Sequence, residues 1–296
     1  MTLSVNLHPA QTNARAIGLM IGAIVLFTAM DALAKGLLDR YPTPQVIWAR
    51  FTGQLVLVLL ILRGRAIPAL RTRYPLLHLA RCMCQFGATA LFFTSLAYIG
   101  LAEATALTDL NPVLITLGAA IFLGERLGPR RVAGVLVAML GAMIIIRPGS
   151  GVFTPAALLP IGAAVCYTGN ALLTRFIGAQ ESVWTSMIYG ATFGCLVLAV
   201  AMPFVWQPVQ TVDILLFVLV GILGTGAQLC LIRSFSMAEA SVVAPFAYLG
   251  ILFAAIWGAF LYSEYPDGWS VFGALVIIAA GLYVWHRETR AARSTP

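Results

Sequence analysis

The chain has 296 residues, of which 60% are hydrophobic and 10% charged, and its mean hydropathy is +0.93. A soluble domain cannot hide that much apolar surface, so the composition makes a bilayer the solvent. The formal charge of +7 is not the footprint of a nucleic-acid binder, because the arginines fall in short links between apolar runs and not along one polar face.

A membrane-spanning helix needs about 20 mostly apolar residues, and ten runs meet that need. The first, 16–36, follows a stretch too polar, and is itself too long, for a cleavable signal peptide; it carries Asp31 and Lys35. The second, 44–62, carries Arg50. The third, 76–98, holds Arg81, Cys82, Cys84 and Gln85. The fourth, 102–123, contains Asp109, Asn111 and Pro112 within four positions, a carboxylate, an amide and a helix breaker inside a segment of spanning length. The fifth is 130–147; the sixth, 155–175, carries Tyr167, Thr168 and Asn170; the seventh is 183–204. The eighth, 212–234, carries Gln228, the ninth, 239–262, carries Pro245, Phe246 and Tyr248, and the tenth is 269–286. The expectation is an all-α membrane protein of ten transmembrane helices with no soluble domain.

Arginine placement predicts the orientation. With a cytoplasmic N-terminus, the inner links hold Arg15, Arg63, Arg65, Arg71, Arg73, Arg126, Arg130, Arg131, Arg175, Arg233, Arg287, Arg290 and Arg293, while the outer links hold Lys35, Arg40 and Arg147. The positive-inside rule then puts both termini in the cytoplasm. All five cysteines, Cys82, Cys84, Cys166, Cys195 and Cys230, lie in apolar runs. There they read as small hydrophobes, and the lone C-x-C pair has no neighbouring His to suggest a metal site.

The halves echo each other. "AEATALTDLNPVLITLGAAIFLGERLGPRRVAGVLVAMLGAMIIIR" from Ala102 aligns with "AEASVVAPFAYLGILFAAIWGAFLYSEYPDGWSVFGALVIIAAGLYVWHR" from Ala238, matching Glu103 with Glu239, Glu125 with Glu264 and Gly134 with Gly273. "TAMDALAK" from Thr28 matches "TGNALLTR" from Thr168 more weakly. Two repeats follow, 1–150 and 151–296, of five spans each. An odd number of spans makes the second copy enter from the opposite side, so the repeats are inverted, an architecture of secondary transporters with a site near the midplane.

At these residues the chain resembles the EamA-type members of the drug/metabolite transporter superfamily, in the block "LGERLGPRRVAGVLVAMLGAMIIIRPG" and its C-terminal echo. "AMDALAKGLLDRYPTPQVIWAR" and "SFSMAEASVVAPFAYLGILFAAIWGAFLYSEYPDG" resemble the branch holding RibN-type riboflavin importers and bacterial S-adenosylmethionine uptake carriers. The resemblance covers the whole chain. It implies alternating-access transport of a small organic solute across the bacterial inner membrane, with riboflavin or a similar ring-bearing metabolite taken up. The same fold exporting amino acids or related metabolites, or carrying S-adenosylmethionine, is the alternative.

Charges inside a membrane need a partner or a role. Counting residues from the outer ends of their spans puts Asp31, Arg50 and Asp109 at one level. Asp109 is therefore expected to pair with Arg50, and Asp31 with Lys35 four residues on. Pro112 removes the N–H that would satisfy the Thr108 carbonyl and bends the span there, which is tolerated beside protein or a water-filled cavity. Asp31, Arg50, Asp109 and Asn111 are the candidates for the path or its coupling. Gln85, Tyr167, Asn170, Gln228, Phe246 and Tyr248 are the candidates for solute binding, with Trp48, Phe92, Phe93, Tyr189 and Phe246 as an aromatic wall for a planar ring. Arg81 is expected to snorkel to lipid phosphates, and Glu103, Glu125 and Glu264 to be solvated or to cap helices.

No phosphate-binding loop, H-E-x-x-H motif or Ser/His/Asp set is present, so neither ATP-driven pumping nor an intramembrane enzyme is expected, and no cofactor. The partners expected are a small-molecule solute and the lipid bilayer, with the oligomeric state left open.

Overall fold

The computed structural model describes residues 9–111, 113–115, 118, 129–147, 155–177, 181–237 and 244–293. Pro112, Glu125 and Glu239 lie outside them. The described regular structure is helical throughout: α1 (Pro9–Leu38), α2 (Thr43–Leu62), α3 (Pro75–Leu96), α4 (Leu101–Thr108), α5 (Pro129–Ile146), α6 (Leu158–Ile177), α7 (Val183–Val205), α8 (Thr211–Met237), α9 (Leu249–Tyr262) and α10 (Gly268–Arg293). Among the described residues six helices are long and apolar enough to cross a membrane: Ala14–Leu38, Thr43–Leu62, Pro75–Leu96, Pro155–Thr174, Val183–Val205 and Thr211–Ser234. Leu136–Ile146, Phe246–Tyr262 and Gly268–Tyr283 are shorter apolar helices.

Helix ends follow from local chemistry. Prolines sit in the first turns of α2 and α3, where a missing N–H costs nothing, and Ser182 caps α7 by accepting from the Trp184 N–H. Large apolar side chains are left facing outward, Phe204 at 86% and Phe260 at 81% exposure. That is an outer surface suited to lipid and not to water.

The most extensive packing is α1 along α8, α3 along α6, α5 along α10 and α2 along α7. Glycine permits the tightest crossings. A Cβ on Gly53 of α2 would lie 2.7 Å from the Gly221 Cα of α8, and one on Gly141 of α5 would lie 2.9 Å from the Gly273 carbonyl oxygen of α10, so these helices meet backbone to backbone.

The connections gather at two opposite ends. At one, Arg40 pairs with Asp213 at 2.6 Å, the Tyr41 hydroxyl donates to Asp213 at 2.8 Å, and Gln45 exchanges hydrogen bonds with the Gln207 backbone. Arg147 pairs with Asp267 at 2.6 Å there, and Ser270 donates to Glu103. At the other end the Thr72 hydroxyl and Arg73 N–H donate to Glu181, and the Tyr189 hydroxyl donates to the Leu70 carbonyl. Glu181 is partly buried, which alone would raise its pKa, but these donors outweigh burial and hold it below the usual carboxylate range.

Candidate functional site

The fourth predicted span is broken where its polar residues fall. Helix α4 stops at Thr108, Asp109 and Leu110 form a turn, and helical backbone resumes at Asn111. Opposite it, the described part of the ninth predicted span opens as a 3-10 turn, Ala244–Tyr248, before α9 begins. Through the first the backbone stays hydrogen-bonded, Asp109 N–H to the Thr105 carbonyl at 2.8 Å, Leu110 N–H to the Leu107 carbonyl at 3.4 Å and Leu114 N–H to the Leu110 carbonyl at 3.0 Å, so both interruptions are local tightenings of the helix.

Asp109 is half-buried, and its Oδ2 is enclosed and makes no hydrogen bond among the described residues. A Cβ built on Gly250 would meet that oxygen at 3.7 Å and Ile24 Cγ2 at 3.7 Å, so the carboxylate looks onto α9 and α1. Tyr167 of α6 and Tyr248 at the start of α9 both lie within reach of its charge. Asn111 Oδ1, Thr168 Oγ1 and the Tyr248 hydroxyl are also enclosed and unpaired. Tyr248 points its hydroxyl at α10, where only the missing side chain of Gly281 leaves room for it.

A second cluster surrounds Arg50, which is 9% exposed. Its Nη1 donates to Thr89 Oγ1 at 2.6 Å, and Thr89 donates onward to the Gln85 carbonyl at 3.1 Å. The guanidinium lies 5.5 Å from the Phe93 ring centroid and 5.7 Å from that of Phe51, contacts that hold a cation by its ring quadrupoles. The carboxylate whose charge Arg50 feels is Asp31.

Several expectations are corrected. Among the described residues no ion pair joins Arg50 to Asp109. A Cβ on Gly250 would meet both the Asp109 carboxylate and Ile24, and Ile24 is seven residues and about 10 Å along α1 from Asp31; a residue count gives depth only for upright helices that start in one plane. Lys35 does not pair with Asp31. It is 8% exposed, pairs with Glu264 at 2.9 Å, and donates to the Leu96 and Ile99 carbonyls at 3.1 and 2.9 Å, which uses all three ammonium donors. Glu264 also accepts the Leu101 N–H at 3.2 Å, capping α4 from the second half of the chain. Arg81 does not snorkel: it is 2% exposed and donates to Asn170 Oδ1 at 3.5 Å and to the Ser186 carbonyl.

The other candidates are scattered. Gln85 is buried, its amide pressed against Gly190 of α7. Gln228 is half-buried on α8. Phe246 packs in the cluster of Ala16, Met20 and Ile24. The aromatic residues do not form one wall: Trp48 packs edge-on to Trp206, Phe92 packs on Phe93 in the same cluster as Trp48, Tyr189 stacks on His78, and Phe246 packs in another cluster. A different aromatic set, Phe51, Phe86 and Phe193, runs beside Arg50 with successive centroids 6.0 Å apart. Sequence reasoning missed Thr89 and this set. The four-residue spacing of Arg81, Gln85 and Thr89 on one face of α3 was the signal available for Thr89.

The chain is similar along nearly its whole length to curated bacterial carriers. It is 29% identical to the riboflavin transporter of Rhizobium johnstonii, over 93% of this chain and 92% of that one. It is 30% identical to the pseudopaline exporter of Pseudomonas aeruginosa, over 89% and 94%, and 25% identical to the S-adenosylmethionine uptake transporter of Rickettsia bellii, over 93% and 94%. A solved crystal structure of 20% identity shares the fold, with a TM-score of 0.67 over 94% of this chain and 99% of that chain. The EamA-like transporter family model matches residues 14–147 and again 154–285, and the chain, a multi-pass membrane protein, belongs to that transporter family.

Proposed function

We propose that the chain is a secondary transporter that carries a small organic metabolite across the bacterial inner membrane by alternating access. In this reading ten spans form two inverted five-helix repeats, 1–150 and 151–296, with both termini cytoplasmic. The observation that carries the proposal is the interrupted α4 at Asp109 facing the 3-10 turn at 244–248. The sequence echo of Ala102 with Ala238 puts these two breaks at matching positions, and paired broken helices near the midplane are where such carriers bind solute. The packing pattern supports the repeat: exchanging the halves turns the α1–α8 contact into the α6–α3 contact and maps α2–α7 and α5–α10 onto themselves.

Asp31, Arg50, Asp109 and Asn111 would line the path, with Gln85, Tyr167, Asn170, Gln228, Phe246 and Tyr248 as further binding candidates, Tyr167 and Tyr248 being the best placed. The two bonded ends would be the gates, one at each membrane face. Riboflavin or a similar ring-bearing metabolite is the solute that the sequence resemblance favours, and uptake its direction; similarity to a pseudopaline exporter keeps export as the second reading. The test is flux in sealed proteoliposomes. The expected result is solute movement that needs the protein and is lost in Asp109→Asn, and equal flux in protein-free vesicles would reject transport.

A further inference from the structure

We infer that Asp109 seats a positively charged group of the solute, a protonated amine or other onium, so that the substrate is an organic cation or zwitterion and not a neutral ring compound. The inference rests on the transporter reading and sets its substrate class against the neutral riboflavin that the sequence resemblance favours.

The charges within the bundle are not balanced in the same way. Arg50 is held by a hydrogen bond to Thr89 and by two phenyl rings. Lys35 is held by Glu264, and Arg81 by Asn170 and a backbone carbonyl. Asp109 has no such partner: among the described residues no Lys, Arg or His forms an ion pair with it, and no donor reaches Oδ2. An enclosed carboxylate oxygen without a counter-charge takes up either a proton or a cation, and a cationic group of the solute can replace that proton.

The surroundings fit that cation. Asn111 Oδ1 accepts hydrogen bonds, and so can the Thr168 and Tyr248 hydroxyls; all three are enclosed and unpaired, with Thr168 8% and Tyr248 6% exposed. Tyr248 stands two residues before Gly250, whose missing side chain faces the Asp109 carboxylate, and an aromatic ring near a carboxylate is a chemistry by which proteins hold ammonium and related groups. A neutral flavin-like ring would bring the carboxylate no counter-charge, and the clustered rings of Phe51, Phe86 and Phe193 lie beside Arg50.

The experiment is ligand binding to the purified full-length protein in detergent at pH 7.5, with choline, putrescine and S-adenosylmethionine as cationic probes and riboflavin and adenosine as neutral ones. The expected result is saturable binding of at least one cation, at least tenfold tighter than either neutral probe, weakened at least tenfold in Asp109→Asn and retained in Asp109→Glu. Charge selectivity in the wild type needs no variant, so it stands even where Asp109→Asn fails to fold. Tighter binding of riboflavin, cation binding indifferent to Asp109→Asn, or binding of none of the three cations would overturn the inference. Proteoliposome flux of a neutral solute would then leave the transporter reading standing, whereas absence of flux for every probe would remove both.

Discussion

At the scale of single residues, Asp109, whose Oδ2 has no hydrogen-bond partner, and Arg50, which Thr89 holds, have different consequences. Asp109→Asn removes charge while keeping shape, so the protein should insert and purify as the wild type does while solute flux falls at least tenfold; unchanged flux would move the site elsewhere. Gly281→Ala tests the room left for Tyr248. An added Cβ would sit 1.7 Å from the Tyr248 oxygen, so the ring must move, at a cost of about 1–3 kcal/mol for overpacking. The expected readout is a lowered melting temperature together with weakened solute binding, whereas Gly18→Ala, where nothing lies within 4 Å, should leave both unchanged. The sequence made Asp109 visible as a carboxylate in hydrocarbon, but not its lack of a partner. Pairing depends on where helices tilt, and a count along one helix carries no information about its neighbour.

At the scale of elements, the break in α4 was legible from Pro112 and its polar neighbours, since losing one N–H frees a carbonyl wherever the helix packs. Capping across the repeats was not legible. Glu264 reaches back 163 residues to the Leu101 N–H while holding Lys35, and that contact exists only once α9 and α4 lie side by side. Glu264→Ala should therefore destabilise the protein by about 1 kcal/mol or more through the lost cap and the unpaired buried ammonium, read as a melting-temperature drop that Glu264→Gln only partly restores. Asp267 accepts the Ser270 N–H at 2.8 Å, at the start of α10. The nearby Ser270 hydroxyl, the Ser270 N–H and Arg147 together hold its pKa below the usual carboxylate range, against the opposing effect of burial. A depressed carboxylate pKa stabilises the fold above its unfolded value and loses that contribution as pH falls through the folded one. The melting-temperature gap between wild type and Asp267→Ala should accordingly be present at pH 7 and close below about pH 4.

At the scale of the whole molecule, the echoing halves could be read from matched glutamates and glycines, and composition alone required a bilayer. The partners across the bundle could not be read, because the α1–α8 and α3–α6 contacts join segments far apart in sequence whose apolar faces look alike. Among the described residues hydrogen bonds and ion pairs join the connections at two opposite ends, and in the proposed function these ends are the gates of the carrier. Breaking one end should bias it: Asp213→Asn weakens the Arg40 pair and the Tyr41 hydrogen bond, and is expected to increase labelling of that face by an impermeant reagent while slowing net transport. The most direct test of the central claim is counterflow of labelled solute into sealed proteoliposomes, with S-adenosylmethionine and riboflavin as the two labels, for wild type and Asp109→Asn side by side. The account predicts transient accumulation of the cationic label in wild-type vesicles and none in Asp109→Asn vesicles holding the same amount of inserted protein. Equal accumulation in both, or none in either, would contradict it.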